Sequence, residues 1–307
     1  MKKFLKYIFV GLIFSYNFSF AQKGVQMEQY MFNQMQFNPA YAGSTHSFQA
    51  SFLHNSRWIG FEGAPNIQVL NVHTPLFANA AIGASLVHES IGVSNNFDLF
   101  GVYAYEIKLI GYSISLGVQG GIISIKDKNS QLTTTDTGDE QYKEDIGFTN
   151  FNAGFGIFCH SDNYYIGLSF PKFMENTYSM SGKKNTNSFN PLGNPYYLTG
   201  GYVHEFNELI KLKPSILLKH LFGSPISIDL NINALYKNKF GLGAFYRFNS
   251  AFGFMFEYYI YNTLKVGYAW HLATSKLIAF NYGTHEIMVS YNLHKFQAKS
   301  YQSPRFF

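Results

Sequence analysis

The sequence is short of charge, of cysteine and of long apolar runs. Charged residues make up 13% of its 307 residues, about half the share usual in soluble domains. Its single cysteine, Cys159, can make no intramolecular disulfide and reads as a small apolar wall residue. Beyond the N-terminus there is no run of about 18 apolar residues, which excludes a bundle of membrane-spanning helices. Zinc-protease helix motif, CxxC pair, P-loop and GxSxG elbow are all missing. Aromatic residues are plentiful, with 32 Phe and 23 Tyr making 19% of the chain with Trp, although mean hydropathy is close to zero. A soluble globule has no use for so much exposed aromatic surface. A membrane barrel does, because its outer wall faces lipid while its lumen is polar.

The first residues carry a targeting signal. Lys2, Lys3 and Lys6 precede an apolar run from Tyr7 to Phe14, and Ser19-Phe20-Ala21 supplies a small-x-small cleavage site before Gln22. The run is too short for a membrane anchor, and the absence of a nearby cysteine excludes lipoprotein processing. Without those three lysines, the balance of 23 basic against 18 acidic residues falls from +5 to +2. Nucleic-acid binding thereby loses its only compositional support.

Between Phe97 and Lys126 the sequence alternates for two strand lengths. Phe97, Leu99, Tyr103, Tyr105 and Ile107 fall on one face, with Asp98, Phe100, Val102, Ala104 and Glu106 on the other. Successive strand side chains point to opposite faces, so each run has an apolar, aromatic face and a smaller, more polar one. Such a run of about ten residues, tilted, spans an outer membrane. The pattern predicts fourteen strands, at 47–56, 66–74, 79–89, 97–108, 111–126, 149–160, 163–170, 195–206, 211–221, 225–237, 239–248, 251–261, 263–272 and 284–294. With an even count both ends of the barrel lie in the periplasm. Every long connection, including 57–65, 127–148, 171–194 and 273–283, then falls on the outward side, and the others are tight turns. The expected organisation is a signal peptide at 1–21, a periplasmic lead-in or plug at 22–46, an antiparallel transmembrane β-barrel at 47–294 and a periplasmic tail at 295–307.

No catalytic or cofactor-binding set emerges. Gly154-Phe155-Gly156 and Gly241-Leu242-Gly243 sit inside strands, where glycine gives packing clearance rather than a nucleotide-binding turn. His54, His73, His88 and His271 fall near strand ends, as interfacial anchors would. The Asp127–Asp145 loop carries Asp136, Asp139, Glu140 and Glu144, which could bind calcium, but their spacing is not that of an EF-hand and a solvated loop is the simpler reading. No metal site is expected. Asp229, Asn231, Asn233, Glu257 and Lys265 point inward in the predicted register and would suit a polar lumen.

Several ordered motifs carry a resemblance to a known family. Gln29-Tyr30-Met31-Phe32-Asn33 is followed by Asn38-Pro39-Ala40-Tyr41-Ala42-Gly43, then by Arg57-Trp58-Ile59-Gly60 with Gly63-Ala64-Pro65. His73-Thr74-Pro75-Leu76 and Glu89-Ser90-Ile91-Gly92 with Asn95-Asn96 come next, and the chain ends Pro304-Arg305-Phe306-Phe307. From residue 26 onward it resembles the PorP/SprF outer-membrane proteins of the Bacteroidetes type IX secretion system. Glu89-Ser90 departs from the acidic–basic pair that the family often has there.

The resemblance implies a barrel similar in outline to long-chain fatty-acid transporters, with no enzymatic activity and no cofactor. It also implies partners: outer-membrane lipid, a secreted cargo protein and other type IX components. The role would be export of cargo or its retention at the cell surface, gliding adhesins included. The motif residues Asn38, Pro39, Ala40, Tyr41, Gly43, Arg57, Trp58, Gly60, Gly63, Pro65, His73, Pro75, Gly92, Asn95 and Asn96 would then serve structure or partner contact. An outer-membrane channel for a small hydrophobic or polar solute is the competing reading. For residues 22–46 the expectation is a plug, with Tyr41 packed inside and Pro39 and Gly43 fixing the approach to the first strand.

Overall fold

The computed structural model describes residues 24–77, 79–132, 144–178, 185–261 and 263–293. The expected signal peptide and the expected tail lie outside them. Seven strands come first: β1 Phe48–Ser56, β2 Asn66–Pro75, β3 Ala80–Ile91, β4 Ser94–Leu109, β5 Tyr112–Asp127, β6 Ile146–His160 and β7 Tyr164–Phe170. A hairpin follows, β8 Met174–Tyr178 with β9 Asn185–Phe189, and then β10 Tyr196–Tyr202 and β11 His204–Glu205. The rest are β12 Ile210–His220, β13 Ser227–Tyr236, β14 Phe240–Arg247, β15 Ala251–Ile260, β16 Leu264–Ala273 and β17 Thr284–Leu293.

Each wall strand pairs antiparallel with its sequence neighbours, β1 pairs with β17, and the ring closes between β10 and β12. Because β10 and β11 are one strand in two pieces, both on β12, the wall is a closed barrel of 14 strands. Among the described residues no helix is long and apolar enough to cross a membrane.

The sheet forms where the alternation predicts it. Leu99, Tyr103, Tyr105, Ile107, Leu116 and Val118 are exposed on the outside, whereas Phe100, Val102, Ala104, Ser115 and Gln119 are buried within. On β13 the outward Leu230 and Ile232 alternate with the buried Asp229, Asn231 and Asn233. Connections 57–65, 128–145, 171–195, 221–226 and 274–283 lie at one end, and turns such as 110–111, 161–163 and 237–239 at the other. The end with the long connections is the outer end.

Three local features differ from the sequence reading. The hairpin β8–β9 lies within the expected 171–194 loop and has no apolar face to betray it. It is tied down instead by amide side chains: Asn152 and Asn194 donate to Met174 O at 2.8 and 2.9 Å, and Asn187 donates to Phe151 O at 2.9 Å. The expected 90–96 connection shrinks to a two-residue turn, because β3 and β4 continue to Ile91 opposite Ser94 and Gly92 takes a φ of +55°. The strand expected over 195–206 is broken at Val203. Next to the break β12 carries Pro214, across from Tyr202, with no N–H to offer the ladder, and the Val203 N–H donates to Asn163 O at 2.7 Å.

With Leu230 facing lipid, Leu230→Arg should cost about 2–4 kcal/mol near the midplane, as lipid-facing basic residues do. Leu230→Phe should be close to neutral. Urea unfolding in lipid vesicles separates the two, and equal losses would contradict the facing. Asn231 is no benign control: it is buried, and its side chain accepts from Asn233 Nδ2 at 2.8 Å.

Candidate functional site in the occupied lumen

The inward faces of the strands enclose residues 24–47, which hold little regular structure beyond three single 3-10 turns at Tyr30–Phe32, Gln34–Gln36 and Pro39–Tyr41. Met27, Tyr30, Met31, Phe32, Met35, Phe37 and Tyr41 are all buried. They pack on inward wall residues, Leu53, Ile67, Val69, Val87, Leu217, Phe245, Met255 and Met288 in one cluster and Val102, Ala104, Phe158 and Tyr165 in another. Burying a side chain of this size contributes about 1.5–3 kcal/mol, so the segment is held chiefly by its apolar residues. Lys265 and Lys213 add cation–π contacts, their Nζ atoms 3.5 and 4.7 Å from the centre of the Phe32 ring.

The segment makes one pass along the lumen. At its start, Gly24 lies beside Pro195 and Tyr197 at the outer end of β10. Gln26 accepts from Arg57 Nη2 at 2.6 Å, just past the outer end of β1. Halfway down, Asn33 accepts from Ser51 and Asn71. Lower still, Gln36 accepts from Ser85 Oγ at 3.0 Å, and Phe37 O accepts from Ser169 Oγ at 2.7 Å. At the periplasmic end the Gly43 N–H donates to His73 Nδ1 at 3.2 Å, and His46 Nε2 lies 3.5 Å from Glu106.

The outer part is fastened by a buried charged network. Glu286 on β17 accepts the backbone N–H groups of Glu28 and Gln29 at 3.2 and 2.9 Å. Asn55 Nδ2 donates to both Glu28 and Glu286, at 2.8 Å each. Arg247 grips Asp229 in a fork, with Nε 2.9 Å from both oxygens and Nη2 2.7 Å from Oδ2, and its Nη1 is 3.6 Å from Glu28. His271 Nδ1 is 3.1 Å from Glu28 on another side. Arg247, His271 and Asn55 thus surround one buried carboxyl, which offsets the cost of taking it out of water.

The lower part sits in a notch cut by glycines. A Cβ on Gly117 would run into the backbone of Ala40, and one on Gly156 into the Asn38 side chain. Asn38 caps the Pro39–Tyr41 turn by accepting from the Ala40 N–H at 2.9 Å, and its Nδ2 donates to Ile157 O at 2.9 Å. Tyr41 is wedged edge-on between His73 and Phe158, at centroid distances of 5.6 and 5.5 Å. Gly43 has a φ of +81° and lies against Ala81, leaving no room for a side chain. Gly117→Val should therefore unseat Pro39–Ala40 and cost about 1–3 kcal/mol by overpacking. Gly120→Ala on the same strand meets only the Phe151 ring, at 3.7 Å, and should be neutral in the same unfolding assay.

The motif residues fall into two groups at opposite ends. Asn38, Pro39, Ala40, Tyr41, Gly43 and His73 form the lower seat, with Pro75 at the end of β2. The others shape the outer mouth. Arg57 N–H donates to Pro65 O at 2.9 Å, Gly92 N–H to Gly63 O at 2.9 Å, and Trp58 N–H to Thr284 Oγ1 at 3.3 Å. The Arg57 guanidinium lies 5.4 Å from the Trp58 ring, and Gly60, with a φ of +93°, passes under Tyr282. Asn95 and Asn96 begin β4 beside the Gly92 turn.

Two histidine assignments are corrected. His73 and His271 are each 2% exposed and face the lumen, so they hold the segment rather than anchor the interface. The in-strand glycines do give clearance: Gly154 faces Pro171, and Gly243 faces Asn233 and Met255. In the outer loop, Asp136, Asp139 and Glu140 lie outside the described residues. Asp145 accepts from Ser130 N and Oγ at 3.0 and 2.8 Å, and those bonds hold its carboxyl below the ordinary value. Among the described residues no three His, Cys, Asp or Glu side chains converge as a metal site would need.

The fold has close parallels among solved outer-membrane barrels. The CymD monoaromatic hydrocarbon channel aligns with a TM-score of 0.54 at 10% identity, over 87% of this chain and 92% of that one. A FadL homologue of Pseudomonas aeruginosa aligns at 0.48 and 11% identity, over 87% and 94%. The outer membrane protein Omp33 of Acinetobacter baumannii gives 0.47 and 10%, over 81% and 100%. No curated protein matches the sequence. The protein is an outer-membrane β-barrel. Residues 19–291 match the family described as type IX secretion system membrane protein PorP/SprF, and the chain belongs to that family.

Proposed function

We propose that this barrel is a non-enzymatic component of the type IX secretion system that supports export or cell-surface attachment of a secreted protein, and that residues 24–46 plug its lumen. The observation that carries the reading is the burial of Met27 to Ala42, with Gln36 alone half-buried, against inward side chains from around the wall. A solute channel needs an open polar path. Here the inward Asp229, Asn231, Asn233 and Glu257 that would line one are buried. The name of CymD describes a channel, and that reading predicts permeation of small solutes by liposomes carrying this protein. The secretion reading predicts instead that the barrel, purified gently from native membranes, brings down a secreted protein together with other type IX components. Permeation without any such protein would favour the channel.

A further inference from the structure

The direction in which the segment runs has a consequence for the topology of the chain. Because residues 24–47 lead directly into β1, whose first residue lies at the periplasmic end, a lead-in lying at that mouth would be the simplest arrangement. The contacts run the other way. From Gln26 to His46 the partners run from Arg57 and Arg247 at the outer ends of β1 and β14, through mid-wall Ser51, to Glu106 at the periplasmic end of β4. Tyr197, beside Gly24, is reached by Phe37 as well. Most residues from Met27 to Ala42 are buried, whereas Gly24 is exposed.

We infer that the segment is threaded outward, so that its upstream end opens on the cell surface at Gly24, within reach of molecules on that side and closed to the periplasm. This rests on the plug reading and adds sidedness to it. The β1–β17 pairing thus closes the wall around a segment that lies through the lumen, with Gln26 reaching Arg57 at the far end. Whatever engages the Gly24 end therefore comes from outside the cell. Periplasmic components meet only the end that is tethered to β1.

The test is cysteine labelling on intact cells with a membrane-impermeant maleimide, in a Cys159→Ala background. Gly24→Cys should label fully without permeabilisation, as Ser130→Cys in an outer loop should. Thr45→Cys, and Glu208→Cys in a periplasmic turn, should label only after it. A second readout needs no cells: in purified protein, Gly24→Cys and Pro195→Cys should be joined by a short bis-maleimide. If Gly24→Cys hinders maturation, Val25→Cys paired with Pro195→Cys serves the same purpose. Protection of Gly24→Cys on cells where Ser130→Cys reacts would overturn the threading, as would failure of the crosslink. Labelling of Glu208→Cys rather than Ser130→Cys would reverse the barrel and overturn the sidedness. Conductance reports the plug separately, so a non-conducting barrel with a protected Gly24→Cys would refute the threading alone.

Discussion

Arg247→Leu should cost about 3–5 kcal/mol of stability, because it leaves the buried Asp229 carboxylate without its cation and takes one from Glu28. The loss should be read as a lower midpoint of urea unfolding in vesicles. Arg247 is 2% exposed, and it is bonded to Asp229 through Nε and Nη2 and paired with Glu28 through Nη1. Removing it strands Asp229 on the wall and weakens the hold on Glu28, which keeps only His271 and Asn55 within reach. The double variant Arg247→Leu/Asp229→Leu should recover much of the loss, since replacing a buried ion pair by apolar groups is often neutral. If the single variant is as stable as the native chain, water already reaches the network and the lumen is not filled as described.

Deleting residues 22–36 should leave an inserted barrel yet abolish surface display of the cognate cargo. Among the described residues no wall strand begins before Phe48, so the closed hydrogen-bonded ring is untouched. The groups that lose partners, among them Glu286, Arg247, Asn55 and Asn71, face the lumen, where water replaces the lost bonds. Heat-modifiable migration on gels would report the intact barrel, and antibody binding to cargo on whole cells would report display. Normal display by the deletion strain would reduce the segment to a tether. Loss of the barrel itself would mean that the segment is needed for closure.

The wall was legible in the sequence because it obeys a period of two, with aromatic and branched residues on the lipid side, as in Phe252, Phe254 and Phe256 on β15. Its interior was much less so. Residues 24–46 have no periodicity, since they are shaped by the surface they fill, and the surface is written far away in the chain. Gly156 reads as general packing clearance until Asn38 and Ala40 lie in the notch that it makes with Gly117. Glu286 falls on the inward face of β17, but nothing near it in sequence points to Glu28, 258 residues away. Arg247 ends a strand, where a solvated position is the natural expectation. His73 and His271 also sit near strand ends, which predicts an interfacial ring; the choice between interface and lumen depends on what fills the barrel. The β8–β9 hairpin escaped because its fastening is by asparagine side chains rather than by an apolar face.

The claim on which the rest depends is that this barrel is closed by its own N-terminal segment. Single-channel recording in planar bilayers tests it most directly, with the full-length purified protein beside the variant lacking residues 22–36. A lumen plugged by this segment gives a silent full-length protein and stable open steps from the variant. Equal, sustained conductance from both would contradict it.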